Sequence, residues 1–236
     1  MKIDYKPKNN LEKFGIKVYH TLVENFPQTF FVGGMVRDLL LKRNITDIDI
    51  ATEAKPDKVA KLLRGAKIQT QENNKKFGSI IAKLGKLEVE ITTFRKDLKS
   101  KNRYPKVKFI TNPKTDSQRR DFTINALYLK QKPFKILDFN QGLPDLKNKI
   151  IKFIGKPDAR IKEDPLRIIR ALRFAKILNF KLDRKTKWEI KNNFSLIKKL
   201  TMPRLKKELN KITETNKRNV LKKVINKPKV LDKYFE

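Results

Sequence analysis

The chain has no cysteine and a single histidine, His20, in 236 residues. Without thiols there is no disulfide, no thiolate metal site and no cysteine nucleophile. One imidazole cannot build a His-rich metal centre. Acids are also scarce, 25 against 58 Lys and Arg, for a formal net charge of +33. No apolar run is long enough to span a bilayer, and the N-terminus has no apolar signal region. The expectation is a soluble protein of the cytoplasm, or of an organellar matrix, with no membrane partner. Such a charge points to a polyanion partner. The competing reading is compositional drift toward Lys, Asn and Ile, which raises charge without a ligand.

Glycine is sparse as well, 8 in all, yet two are consecutive. The segment from Phe30 to Asp38 (FFVGGMVRD) reads as a buried strand, a double-glycine turn and a helix. Ile45 to Ala51 reads as a second strand carrying Asp47 and Asp49. Residues without a Cβ let a backbone approach a bulky anion. Turn N–H groups that lead into a helix hold phosphate. Carboxylates two residues apart on a strand share a face, and a cation between them relieves their repulsion. Oxygen donors with no Cys or His nearby suit Mg²⁺. Phosphate beside paired carboxylates points to two-metal phosphoryl or nucleotidyl transfer.

Helical spacing covers 11–25, and a helix follows Pro56 to Leu63. Ser79–Leu84 and Leu87–Phe94 flank Gly85-Lys86, a hairpin turn signal. Glu88 and Glu90 share one face of the second of these strands, so either one completes a metal cage. The polar stretch 95–118 reads as a long mobile connection around one strand, Val107–Ile110. Arg119 to Leu129 reads as a helix and Ile136–Phe139 as a strand. From Pro157 the pattern is helical: 158–178, 183–194, 203–214 and 217–226. An α+β first part followed by helices suggests two domains with a hinge near 140–155. Residues 184–236 carry 17 Lys or Arg against 5 acids, a solvated helical face or an RNA-facing surface. Phe174, Phe180 and Trp188 read as core rather than stacking platforms.

Five segments, in order over residues 30–175, resemble the class II tRNA nucleotidyltransferase and bacterial poly(A) polymerase family. They are Gly33-Gly34-Met35-Val36-Arg37-Asp38 with Asp47-Ile48-Asp49; Glu90 to Arg95; Arg119 to Ala126 (RRDFTINA); Asp138 to Gly142 with Asp145-Leu146; and Glu163-Asp164-Pro165-Leu166-Arg167 continuing to Phe174. The resemblance implies a pol-β-like nucleotidyltransferase head over 1–145 and a helical, nucleotide-selecting neck over 146–215. A short basic C-terminus, 216–236, would stand where relatives carry body and tail domains. The catalytic carboxylates would be Asp47, Asp49 and Glu90, holding two Mg²⁺ ions. Gly33, Gly34, Arg37 and Asp38 would shape the phosphate pocket. Arg120, Asp121 and Asn125 would read the ribose and brace the triphosphate.

Asp164 and Arg167, three apart on one helix, would project from one face. A carboxylate acceptor beside an Arg fork matches the edge that cytosine and adenine share, an amine donor next to a ring-nitrogen acceptor. Arg170, a turn further on, would touch phosphate or support the helix, and Arg173 would support it. The implied activity is addition of CCA, or part of it, to tRNA 3′ ends from CTP and ATP. Poly(A) polymerase and CC-only or A-only addition share every motif, and an inactive RNA-binding remnant is the non-enzymatic alternative. The family's final motif stands here as Met202-Pro203-Arg204-Leu205 with Glu208-Leu209, Pro203 replacing an acid. Grip on the tRNA acceptor arm would come from basic helices, a second subunit of a homodimer, or a short footprint.

Overall fold

The structure is a computed structural model. It describes residues 5–98, 106–131, 134–212, 214 and 218–219. The described residues fall into two compact units, one within Met1–Arg120 and Asn125–Asn140, the other within Asp121–Ile124 and Gln141–Glu236.

The first unit holds a mixed sheet of strands β1 (Thr29–Val32), β2 (Ile48–Thr52), β3 (Gln69–Gln71), β4 (Ser79–Leu84), β5 (Leu87–Thr93), β8 (Leu127–Lys130) and β9 (Lys135–Asp138). Their order is β3-β4-β5-β2-β1-β8-β9. Only β2 and β5 run parallel; the other pairings are antiparallel. Helices α1 (Asn10–Val23), α2 (Gly34–Leu40) and α3 (Pro56–Gly65) pack on this sheet. The apolar face of α1 buries Phe14, Val18, Tyr19 and Leu22. Tyr19 stacks on Phe31 with ring centroids 4.7 Å apart. Gly15 leaves the room that Ile48 occupies, since a Cβ there would stand 2.5 Å from the Ile48 Cδ1.

Strand alternation sends Phe31, Ile48 and Ile50 one way and Phe30, Val32, Asp49 and Ala51 the other. On that second side Phe30, Val32, Ala51, Phe94 and Tyr128 form a buried cluster. Asp49 therefore stands at the rim of an apolar floor, and Val32 is its partner across the ladder.

The first strand, the Gly85 hairpin and the strand before Asn140 lie where the sequence places them. Three expectations need correction. The stretch 95–118 is largely ordered: β6 (Arg95–Leu98) pairs with β7 (Lys106–Phe109), and α4 (Pro113–Gln118) follows. Asn112 caps α4 through its side chain, and 99–105 lie outside the described residues. The segment from Arg119 is not a helix to Leu129; a 3-10 turn at Thr123–Asn125 leads into β8. Leu127, Tyr128 and Leu129 are all buried between β1 and β9, and a central strand with two covered faces reads as an unbroken apolar run. The strand bearing the aspartates begins at Ile48, so Asp47 precedes it.

The second unit contains α5 (Gly142–Lys147), α6 (Pro157–Glu163), α7 (Leu166–Leu178), α8 (Arg184–Asn192) and α9 (Met202–Asn210). A small parallel pair, β10 (Ile150–Ile151) and β11 (Lys181–Leu182), ties the first of these to α7. Phe122, Phe153 and Phe174 meet in its core, with Phe122 4.9 Å from Phe153 and 5.7 Å edge-on from Phe174. The expected helix 158–178 is two helices, because Pro165 bars continuation of the first. Phe174 and Phe180 are buried as expected, but Trp188 is 61% exposed. The expected helix 217–226 lies almost wholly outside the described residues. No described helix is long and apolar enough to cross a membrane.

Candidate active site

In the first unit, the site begins where β1 ends. Gly33 has φ 73 and ψ −137 and is the cap of α2, a backbone region that side-chain-bearing residues avoid. A Cβ on Gly33 would lie 3.0 Å from the Asp49 Oδ2 and 3.9 Å from the Arg120 Nη1. The bare glycine is thus what lets a carboxylate and a guanidinium close over the turn. Gly33→Ala is expected to cost about 1–3 kcal/mol of stability from backbone strain and to displace the Asp49 carboxylate. Denaturant unfolding reads the first effect and nucleotide incorporation the second.

Asp49 and Glu90 are register partners on parallel β2 and β5, so their side chains leave the sheet on one face. Glu88 is engaged elsewhere, 2.9 Å from the Lys83 Nζ. The Glu90 Oε1 accepts a 2.6 Å hydrogen bond from the Ser79 hydroxyl. Asp47 is exposed, and its Oδ2 accepts from the Thr46 hydroxyl at 3.2 Å. Among the described residues no group of three His, Cys, Asp or Glu is gathered to hold a metal ion. The three carboxylates are therefore not drawn into a closed cage here, with Glu90 turned to Ser79. The donor set remains oxygen-only, with two like charges side by side on one face, which suits a hard cation.

Arg37 is buried and makes a two-pronged pair with Asp38, Nε to Oδ1 at 3.0 Å and Nη2 to Oδ2 at 2.6 Å. Its Nη1 donates to the Asn125 Oδ1 at 2.7 Å. The Arg37 guanidinium, held by Asp38 and Asn125, lies against the turn, its Nη2 3.5 Å from where a Gly34 Cβ would stand. Arg120 is held by the Tyr128 hydroxyl, which accepts from Nε at 2.9 Å, and by Asp116, 3.3 Å from Nη2. Burial pulls the Arg120 guanidinium down, but Tyr128, Asp116 and Asp49 outweigh it and raise it above its ordinary value.

Asp116 itself was not foreseen. It is fully buried and accepts from the Tyr128 hydroxyl at 2.6 Å, the Arg119 Nε at 2.8 Å and the Arg95 backbone N–H at 3.0 Å. The available signal was an acid four residues ahead of Arg120 in an otherwise basic stretch.

In the second unit, Asp121 accepts from the Arg170 Nε at 2.7 Å and pairs with its Nη2 at 2.5 Å. Burial lowers Arg170, but Asp121 and Glu208 raise it overall. Buried Arg173 donates from Nε to the Glu208 Oε1 at 2.6 Å. Glu208 on α9 thus supports α7, and Pro203 does not disturb α9, since it sits in that helix's first turn. The segment that reads as the ribose motif is divided: Arg120 and Asn125 belong to the first unit, Asp121 to the second.

Asp164 and Arg167 are not on one helix. Asp164 follows α6, and its Oδ1 accepts from the Leu166 N–H at 3.1 Å, which opens α7. Arg204 holds the Asp164 carboxylate at 2.9 Å and 3.1 Å. The Arg167 Nη1 donates to the Glu163 carboxylate at 2.5 Å and the Arg160 carbonyl at 2.8 Å.

A mixed sheet that sets adjacent carboxylates over a double-glycine turn has the architecture of a nucleotidyltransferase head. Residues 29–152 match the Poly A polymerase head domain, and the chain belongs to that family. The chain is 40% identical over 197 residues to the CCA-adding enzyme of Lactobacillus helveticus (strain DPC 4571), which covers 83% of this chain and 48% of that protein. It is similar to the Bacillus stearothermophilus CCA-adding enzyme in complex with CTP, with TM-score 0.75 and 31% identity over 86% of this chain and 48% of that one. A tRNA nucleotidyltransferase complexed with a primer tRNA and an incoming ATP analog matches with TM-score 0.71 and 32% identity, over 93% of this chain and 62% of that one. The chain spans about half the length of the curated relatives it matches.

Proposed function

We propose that this chain extends RNA 3′ ends without a template, adding CCA or part of it to tRNA from CTP and ATP and releasing pyrophosphate. The observation that carries the reading is the Asp49–Glu90 register pair beside Gly33 and Arg120. Support comes from the relatives, one bound to CTP and one to a primer tRNA and an ATP analog. In this reading residues 1–145 are the head and 146–215 the neck, with the basic residues 216–236 after it, and the protein works in the cytoplasm.

Asp47 and Asp49, with Glu90 as third carboxylate, would hold two Mg²⁺ ions. Bound metal would acidify the attacking 3′-hydroxyl and neutralise the leaving pyrophosphate. The residues of the chain do the rest. The Gly33-Gly34 turn, with the Arg37 guanidinium held against it by Asp38 and Asn125, admits the triphosphate close to backbone N–H groups. Arg120 places a permanent positive charge next to Asp49, where phosphate charge would accumulate. Asp121, held by Arg170, would accept from ribose hydroxyls. Asp164 and Arg167 would read the base edge, each leaving its present partner, Arg204 or Glu163, to do so. The Arg204–Asp164 pair is partly exposed, so opening it costs about 0–1 kcal/mol.

Asp164→Ala is expected to lower the preference for CTP and ATP over UTP and GTP by about 5- to 150-fold, the loss of one base contact worth about 1–3 kcal/mol. Single-nucleotide competition assays measure it, and unchanged selectivity would place base reading elsewhere. The deciding experiment is primer extension on a tRNA lacking its 3′ end, with Mg²⁺ and one nucleotide at a time. Addition of C, C and then one A supports the proposal. Long A tracts would make the chain a poly(A) polymerase, and no addition with retained RNA binding would make it a remnant.

A further inference from the structure

Outside the candidate active site, the second unit carries a cleft of about 560 Å³ between the starts of α6 and α8. Trp188, the only tryptophan of the chain, lines it and is 61% exposed. Lys156, Arg184 and Lys185 line it too, all exposed. Its two carboxylates are already engaged. Asp158 is 2.9 Å from the Lys162 Nζ, and Glu189 accepts from the Asn193 Nδ2 at 3.1 Å. Lysine 162 also holds Asp158 below the usual carboxylate range. Among the described residues none of these three cations is ion-paired, and with the Asp158 and Glu189 carboxylates in the same lining the cleft keeps an excess of positive charge around an open indole.

An exposed indole costs hydrophobic stabilisation that burial would recover. Cations around an aromatic face suit a ligand that is flat and apolar in the middle and anionic at its edges. A nucleotide of single-stranded RNA has that chemistry: its base stacks and its flanking phosphates pair with Lys and Arg. An acidic protein would supply the charge but not the flat face. We infer that this cleft binds an unpaired nucleotide of the RNA substrate, stacked on Trp188 with its phosphates against Lys156, Arg184 and Lys185. The choice of RNA rests on the proposed function; the exposed indole and its ring of cations do not.

Because Trp188 is the sole tryptophan, its emission reports on the cleft alone. Titration of the whole chain with a short single-stranded RNA is expected to quench that emission. A duplex RNA of equal charge, with no unpaired base, is expected to bind with little quenching. Trp188→Ala is expected to weaken single-strand binding about 5- to 150-fold, from one lost stacking contact, while its salt dependence stays unchanged. Trp188→Phe should bind within a few-fold of wild type, which separates stacking from misfolding. Replacing Lys156, Arg184 and Lys185 by Ala together should flatten the logarithmic salt slope by about 2. Undiminished binding by Trp188→Ala, or unchanged emission at saturating RNA, overturns the inference. So does a blue shift that grows with protein concentration without RNA, which would assign the cleft to a second copy. Primer extension on the same sample keeps the two readings apart. Extension without a Trp188 response sinks this inference alone, and a response without extension sinks only the enzymatic one.

Discussion

Asp49→Asn is expected to reduce nucleotide incorporation by about a thousandfold or more while leaving the protein folded. Loss of a carboxylate that positions catalytic metal removes several kcal/mol of transition-state stabilisation, and each 1.36 kcal/mol is tenfold in rate. Stability should change little, because the loss of attraction to Arg120 opposes the relief of repulsion from Glu90. Asp49 faces Glu90 across a parallel ladder, and like charges directly opposite each other are destabilising. Asparagine keeps the shape beside Gly33 and removes that repulsion. RNA affinity should hold, because it comes mainly from Lys and Arg. Single-turnover extension with labelled CTP, beside urea unfolding, measures both quantities. A rate within tenfold of wild type would remove Asp49 from the chemistry. A large drop in stability would make it a structural residue.

Asp116→Asn is expected to do the opposite, costing stability and activity together. Its carboxylate is fully buried and receives Tyr128, Arg119, Arg120 and the Arg95 N–H. Breaking a buried pair by removing one partner costs about 3–5 kcal/mol, since the cations stay behind. Arg120 is one of those cations and stands next to Asp49 across Gly33, so the active site loosens as the fold weakens.

The pH dependence carries a sign. Burial alone would raise the Asp116 carboxyl, but Arg120, Arg119, the Tyr128 hydroxyl and the Arg95 N–H outweigh it and hold it below its ordinary 3.8. The unfolded chain then binds the proton first. The contribution of Asp116 is complete above the unfolded value and is lost as pH falls through the lower, folded one. Wild type should therefore lose stability on acidification below about pH 4, and Asp116→Asn should show a flatter profile. Equal profiles would mean that Asp116 is not ionised in the folded protein.

Much of the first unit was legible in the chain. Thr29–Val32 and the Gly85 hairpin follow from local pattern, because strand alternation and turn chemistry act over a few residues. The double glycine turn ahead of the aspartate strand was legible from the motif, and the structure places Gly33 against Asp49. Legibility failed where partners are distant in sequence. Leu127–Leu129 looked helical until β1 and β9 were placed on either side of it. Asp164 and Arg167 looked like one helical face, but Pro165 ends α6 and the Asp164 side chain starts α7. Trp188 looked like core because large aromatics usually are, and nothing local says which face of α8 is left open.

The sequence by itself excluded thiol chemistry and a His-rich centre, pointed to paired carboxylates and an anionic partner, and marked Gly33 and Gly34 as a place of close backbone approach. Composition and single-residue sterics carry those conclusions. Strand alternation left Glu88 and Glu90 equivalent and the resemblance chose Glu90; the tertiary structure set Glu90 opposite Asp49, since register across β2 and β5 depends on which strands pair. It alone made Asp116 the hub that holds Arg120, because a buried acid draws its partners from β5's exit, α4 and β8. Sequence distance hides such contacts, and a hydrogen bond is made only where the fold brings donor and acceptor within reach.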